Sequence, residues 1–502
     1  MIRQHVIEHV LFIVLGVFAI CLFEERLVAD SGYYIFRVIN NESFWVEHHR
    51  YILVFSQWIP FIGVKLGLGL KTVLHLYSIG HVVFFYGIFL IAKYGYKNDK
   101  AGILLLLLQT LGIMSGFFVP MFELYYCAGF LVLVSTILPY SNHRINLLIL
   151  GILCFFILTG HPFSFMLLLF IIALSIERSK LEFLNFYLLV LAMMIGLFIF
   201  KRFSIDEYEQ GRINVFLGNL KNSRYDIPYL KSLVGFLIEY YKELLFIELI
   251  TITHLLISKE FLKTILAGFA FLGSLVLINL ANHGIGHSRY QEQVYFILSF
   301  IAAYPFVIYM IRTEKEYLSV VSYFVAVIIV CIRISGIYHD GERFFSKRVE
   351  EIQHNISRTR SMIGSKFIID ERDLKYDANW SYPIETMLFS SYESNQNTVT
   401  ICTDRDINFH ENKSKLLPDQ YLFRRWEIYD VETLNNKYFK LDNSCYSTLK
   451  TNHGLPTTRN RFFIDVIVER GSGSFEHQAF QRVSGFLDEK TIFIGKRYPV
   501  VK

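Results

Sequence analysis

From Met1 to Tyr338 the chain is a succession of apolar stretches broken by short polar loops. From His339 onward it changes to a mixture of charged residues and short β-type runs. A helix needs about 20 apolar residues to cross the hydrocarbon of a bilayer. On that measure about eleven spans are expected, near 6–23, 70–92, 101–118, 120–138, 144–160, 162–177, 182–200, 233–257, 261–281, 291–311 and 317–338. The expected fold is an all-α polytopic membrane domain over 1–338, followed by a smaller soluble α/β or α+β domain over 339–502. The apolar stretch Tyr51 to Leu70, with Gln57, Trp58 and Pro60, reads as a helix lying on the bilayer surface rather than a further span.

The loops alternate in charge. One set holds Lys93, Lys97 and Lys100, then Arg144, Arg178 and Lys180, Lys259 and Lys263, and Arg312 and Lys315. By the positive-inside rule these face the cytoplasm, as does the N-terminus. The opposite set holds the long segment 24–69, the Val119-Pro120 turn, His161-Pro162, the loop 201–232 and the residues from Asn282 to Glu292. With eleven spans the tail joins this outer set. The expected location is a bacterial inner membrane, with an extracytoplasmic C-terminal domain.

In the tail, Glu342 to Met362 has helical character. Strands are expected in the runs beginning at Lys366, Thr398, Phe462 and Thr491. The tail carries no glycine-rich phosphate loop and no paired-cysteine metal motif.

Composition sharpens the class. The chain is 53% hydrophobic and 19% charged, below the usual quarter of a soluble domain, and its net charge of +5 is spread over many loops. That pattern does not point to nucleic acid and fits basic residues at the junctions of a lipid bilayer. Of six cysteines, Cys21, Cys127, Cys154 and Cys331 fall in expected spans, while Cys402 and Cys445 fall where a disulfide is permitted by compartment.

The candidate chemistry lies on the outer side. Asp30 follows the first span and opens Tyr33-Tyr34; partial desolvation suits such a carboxylate to general base work, and capping the next helix is the competing role. Glu123, after Pro120, complements a helix N-terminus, yet a charge at that depth is also a functional candidate. His161-Pro162 reads as a helix break with a histidine at headgroup level. Arg289, in the polar loop before a span, suits a phosphate at the membrane surface, with an ordinary interfacial arginine beside Tyr290 as the competing role. The loop 201–232, with Arg202, reads as a mixed-charge solvated loop or as a lid over a lipid-phosphate headgroup. His283 and His287, with Glu292, have a metal-like spacing, but the glycines between them indicate a loop.

Together these positions resemble the GT-C superfamily, the multi-span glycosyltransferases that use polyprenyl-phosphate-linked sugars. Ala29-Asp30-Ser31-Gly32-Tyr33-Tyr34 looks like that family's first-loop acid followed by small and aromatic residues. Pro120-Met121-Phe122-Glu123 resembles its acidic fourth-span entrance, Thr159-Gly160-His161-Pro162 its polar junction, and Ser288-Arg289-Tyr290 its Arg-Tyr element. The resemblance implies an inverting transfer of sugar from a polyprenyl-phosphate carrier to a glycan, lipid or protein acceptor. Asp30 would be the catalytic base; Arg289 and Arg202 would hold the carrier phosphate; Glu123, His161, Tyr33 and Tyr34 would bind substrate. Where the family shows a second acid this chain has Ser31, so no metal or other cofactor is expected. A glycan polymerase or ligase, and a transporter or flippase drawing on Glu239, Lys242, Glu243 and Glu248, are the alternatives.

Overall fold

A computed structural model describes residues 2–175, 183–204, 206–221, 227–282, 292–311, 316–340, 345–375, 379–393 and 398–449. Its larger part is a bundle of helices in chain order. These are α1 (Ile2–Cys21), α2 (Asp30–Asn41), α3 (Val54–Lys65), α4 (Leu70–Leu90), α5 (Ala101–Thr110), α6 (Glu123–Ile137), α7 (Arg144–Gly160), α8 (Pro162–Ser175), α9 (Leu184–Ser204), α10 (Glu207–Lys221), α11 (Ile227–Tyr240), α12 (Lys242–Ile257), α13 (Phe261–Asn282), α14 (Glu292–Pro305) and α15 (Glu316–Asp340). Among the described residues four helices are long and apolar enough to cross a membrane: Leu70–Gly95, Glu123–Tyr140, Phe261–Ala281 and Tyr317–His339. The second of these is the most enclosed, with 83% of its apolar window buried, and the third the least, with 28%. Glu123–Tyr140 is therefore the most central of the four, packed among α4, α5, α7, α8 and α14, and Phe261–Ala281 is peripheral.

The remaining expected spans contain shorter or interrupted helices. The stretch expected over 101–118 is helical only to Thr110; the chain then unwinds through Gly112 before a short turn at Ser115–Phe118. Gly112 is where α14 closes on this segment: a Cβ there would lie 1.7 Å from Ser299 Oγ. The stretch expected over 233–257 is broken at Tyr241 into α11 and α12. The segment 201–232 is not an open loop: α9 runs on to Ser204 and α10 follows. Acids in the first turn of α10 and Lys221 in its last complement the helix dipole, and none of its described residues is buried. α3 is 12 residues long, about 18 Å at helical rise, too short to cross. Its exposed side carries Trp58 and Ile62, while Ser56 and Gln57 are buried.

Contacts sort the loops to two ends. At one, Glu8 and Lys93 form an ion pair (2.8 Å), Tyr96 bonds Asn146 (3.1 Å) and Lys100 bonds the Ile308 carbonyl (2.8 Å). At the other, Arg50 meets Glu123 and His48 meets Asp206, and α2 with its flanking residues meets the soluble domain.

The soluble domain comprises α16 (Ser346–Thr359), β1 (Lys366–Ile369), α17 (Tyr382–Glu393), β2 (Thr400–Thr403), α18 (Asp404–Phe409), α19 (Glu411–Leu416), β3 (Tyr421–Arg424), β4 (Glu427–Asp430) and β5 (Ser447–Thr448). β1 pairs in parallel with both β2 and β5, and β3–β4 form a hairpin. The helix expected over Glu342 to Met362 and the strands expected at Lys366 and Thr398 correspond to α16, β1 and β2. The strands expected at Phe462 and Thr491 lie outside the described residues. Cys402 is buried in β2, its thiol directed at the Phe367 carbonyl, and Cys445 is exposed; both are thiols, and no disulfide joins them.

Glu8 and Lys93 are both almost wholly buried. Glu8→Ala strands the ammonium in an apolar setting, at an expected cost of about 3–5 kcal/mol. The unfolding midpoint in detergent should fall accordingly, and Glu8→Leu with Lys93→Met should recover most of it.

Candidate functional site

The site is assembled where the chain leaves α1. In the short turn Glu25–Leu27, Arg26 is wholly buried and donates to the carbonyls of Phe117 and Ser78, with its guanidinium 4.2 Å over the Phe117 ring. This anchors the corner to α4 and to the segment before α6. Ala29 then adopts φ 56°, ψ −129°. For a residue with a Cβ such a conformation costs about 1–3 kcal/mol and persists only where the surroundings impose it. The corner is tight: a Cβ on Gly32 would lie 2.3 Å from the Leu27 carbonyl oxygen.

Asp30 is the first residue of α2 and half-buried. It is not the helix cap, a position taken by Ala29, but its charge sits where the peptide dipoles of α2 favour an anion. One turn on, the Tyr33 and Tyr34 hydroxyls each lie 2.8 Å from Glu47, one on each carboxylate oxygen, and the Trp45 indole N–H also donates to Glu47 at 2.8 Å. Burial, reinforced by Glu47, Glu123 and Asp30, pushes the Tyr34 phenol well above its ordinary pKa. Three acids, two from the segment 24–69 and one from the start of α6, thus bear on one hydroxyl.

Glu123 opens α6, is 3% exposed, and is paired with Arg50 at 2.7 Å. The Arg50 Nε–H has no protein acceptor among the described residues. His161 belongs to the same cluster, within electrostatic reach of both Arg50 and Glu123. Its backbone is extended and Pro162 starts α8, so the junction is a helix break, and α7 and α8 are separate helices. Burial pulls the His161 pKa down to about 4, helped by Arg50 and opposed by Glu123. With Nδ1 accepting from the Phe163 N–H (3.1 Å), the neutral ring carries its proton on Nε2. His48 reaches Asp206 at 2.5 Å and stacks on Tyr208, tying the start of α10 to the same rim.

The structure thus brings Asp30, Tyr33, Tyr34, Glu123 and His161 together. Arg202 falls in α9, but its side chain is not among those described, and Arg289, His283 and His287 lie outside the described residues. Among the described residues no three His, Cys, Asp or Glu side chains are placed to hold a metal ion. Arg50 and Glu47 stood among the polar residues of 24–69 without a distinguishing signal. The soluble domain's part had no sequence signal at all. Glu427 pairs with Arg37 (2.8 Å) and Arg424 (2.7 Å) and lies 3.2 Å from the Tyr33 hydroxyl, while the Arg424 guanidinium lies 4.4 Å over the Tyr33 ring. Chemically, the cluster offers a half-buried carboxylate to accept a proton, a guanidinium N–H to hold an anion, and a neutral imidazole to donate. No family model, characterised protein or solved structure matches the chain.

Burial alone would raise the Glu427 pKa, but Arg424 and Arg37, with the Tyr429 and Tyr33 hydroxyls, hold it below the ordinary carboxylate range. An acid depressed in the folded state contributes stability that is full above its unfolded value, about 4.3, and is lost as pH falls below it. Protease cleavage at the β3–β4 hairpin should therefore stay slow at neutral pH and accelerate below about pH 4. Glu427→Gln should be cleaved faster at pH 7, with a flatter response to acid.

Proposed function

We propose that this protein is a membrane glycosyltransferase that moves a sugar from a polyprenyl-phosphate carrier to a glycan, lipid or protein acceptor on the extracytoplasmic side of the membrane. The observation that carries the reading is the convergence of Asp30, Glu47, the Arg50–Glu123 pair and His161 at one end of an apolar bundle, the end opposite the lysine-bearing Glu8–Lys93 contacts. An open groove of about 700 Å³ between α7 and α9, lined by Leu148, Gly151, Phe155, Phe156, Leu189 and Met193, with Arg144 at the far end, adds support. Phe155 stacks on Tyr51, the neighbour of Arg50, so a polyprenyl chain along the groove would bring its phosphate to the polar cluster.

In the proposed reaction the acceptor oxygen attacks the anomeric carbon from the face opposite the phosphate. Asp30 takes the hydroxyl proton as the new C–O bond forms. The bond to the carrier oxygen breaks, and its electron pair leaves on the polyprenyl phosphate. Arg50 stabilises that charge with its unmatched Nε–H, alongside Arg202 and Arg289. Glu123 keeps Arg50 in place, and His161, neutral, donates to substrate. The eleven-span layout, the inner-membrane location and the likeness to the GT-C superfamily belong to this proposal.

A transporter or flippase of lipid-linked substrates is the second reading. It rests on Glu248, buried in α12 with neither carboxylate oxygen hydrogen-bonded among the described residues, since an ionisable group inside a bundle marks a functional path by default.

In the native host deleted for the gene, complementation with wild type should restore an envelope glycan that the deletion lacks. Asp30→Asn should accumulate in the membrane at normal level yet leave the sugar missing and its carrier-linked form in excess, as read by mass spectrometry. Full restoration by Asp30→Asn sinks the transferase reading. Loss of the glycan with Glu248→Gln but not with Asp30→Asn favours the transporter.

A further inference from the structure

The Ala29 N–H lies just ahead of α2, in a backbone conformation that alanine avoids, and finds its acceptor in the soluble domain. Glu385 Oε1 receives it at 2.8 Å, across 356 residues of chain. The same oxygen accepts from the Ser381 hydroxyl at 2.6 Å. The other, Oε2, is held by Arg348 at 3.0 Å. Glu385 is fully buried, and Arg348 is nearly so, lying 4.7 Å over the Tyr382 ring and 3.2 Å from Glu351. The carboxylate therefore has one geometry available to it.

At the far end of α2 the soluble domain grips again. The Asn435 backbone N–H donates to Asn40 at 2.9 Å, and the Asn435 side chain donates to the Ile39 carbonyl and to Glu42, both at 3.0 Å. The helix that begins with Asp30 is thus fixed at both ends by the domain 300 to 400 residues downstream, and the strained link at its head is held by a buried charge.

We propose that Glu385 is a positioning residue: its carboxylate, held by Arg348 and Ser381, imposes the backbone turn at Ala29 and so aims Asp30. This rests on the role proposed for Asp30. It assigns the soluble domain a part in the transfer step itself, rather than only in binding an acceptor.

The test uses membranes from the deletion strain, which would hold the accumulated carrier-linked sugar and its acceptor. Purified full-length variants are added, and loss of the carrier-linked sugar is followed at several membrane concentrations. Glu385→Ala is expected to lower the saturating rate about 100-fold, the scale of a misplacement of roughly 1 Å. The half-saturating membrane concentration should change less than about twofold, because a residue acting through Asp30 touches no substrate. Ala29→Gly added to Glu385→Ala should restore the rate roughly tenfold, since glycine enters the positive-φ region as readily as the negative. A merely structural role for Glu385 predicts no such rescue.

If Glu385→Ala yields no folded protein, Glu385→Gln, alone and with Ala29→Gly, replaces it; a lowered rate recovered by the glycine is again expected. A saturating rate equal to wild type with Asp30→Asn inactive overturns the positioning role alone. So does a lowered rate that the glycine fails to raise. An active Asp30→Asn overturns the function on which the inference rests.

Discussion

An apolar bundle cannot hold an uncompensated charge, and the pairing of buried charges organises this chain. Taking an ion out of water costs several kcal/mol even after relaxation, so a charge held inside calls for a partner. Glu248, which lacks a hydrogen bond among the described residues, is the group that stands apart. Lys93 waits for Glu8 and Arg50 for Glu123, pairs whose members lie 85 and 73 residues apart, and in the soluble domain Arg348 waits for Glu385. Arg26 solves the same problem differently, with two backbone carbonyls and an aromatic face in place of a carboxylate. Hydrophobic burial is non-directional and brings the helices together in many registers. The ion pairs select one.

That selection explains why α2 sits at the centre of the site. It is a 12-residue helix in which Ser31 to Phe36 are all buried, yet its polar side chains find partners on three sides. Tyr33 and Tyr34 meet Glu47 from the same outer segment, Arg37 meets Glu427 from the soluble domain, and Ala29 meets Glu385. A helix with so many non-local partners is not positioned by the bundle alone. The soluble domain is accordingly an integral wall of the polar cluster, and the division at residue 338 is one of composition rather than of mechanical independence.

Much of the helical pattern was legible because apolar runs are a local property. α1, α4, α7, α8, α13 and α15 begin and end close to their expected limits, with Pro162 marking one start unambiguously. Errors arose where tertiary context overrode local pattern. The run after Thr110 is as apolar as a helix needs, but it unwinds where Gly112 lets Ser299 approach. The segment 201–232 carries mixed charge and reads as a loop, but its charges are spaced to complement a helix dipole. The site was half legible. Asp30, Glu123 and His161 stood out because each is a polar residue in an apolar neighbourhood. Glu385 and Glu427 did not, because an acid in a mixed-charge domain is unremarkable until the fold brings it to Ala29 and Arg37.

The two-ended distribution of polarity also bears on what kind of substrate the proposed chemistry needs. A soluble donor would require a hydrated cleft, whereas the groove between α7 and α9 is lined by apolar side chains apart from Arg144 at the start of α7, and its other end reaches Phe155 on Tyr51. A molecule matching that profile has a long hydrocarbon body and one anionic head. Arg50 faces such a head from a buried position, already matched by Glu123, so the pair is neutral overall and an incoming phosphate meets donors without a large standing field. Such an arrangement binds an anion through directed hydrogen bonds rather than net charge. It would therefore discriminate by headgroup geometry, while the groove contributes affinity through hydrophobic contact in a medium that already favours the tail.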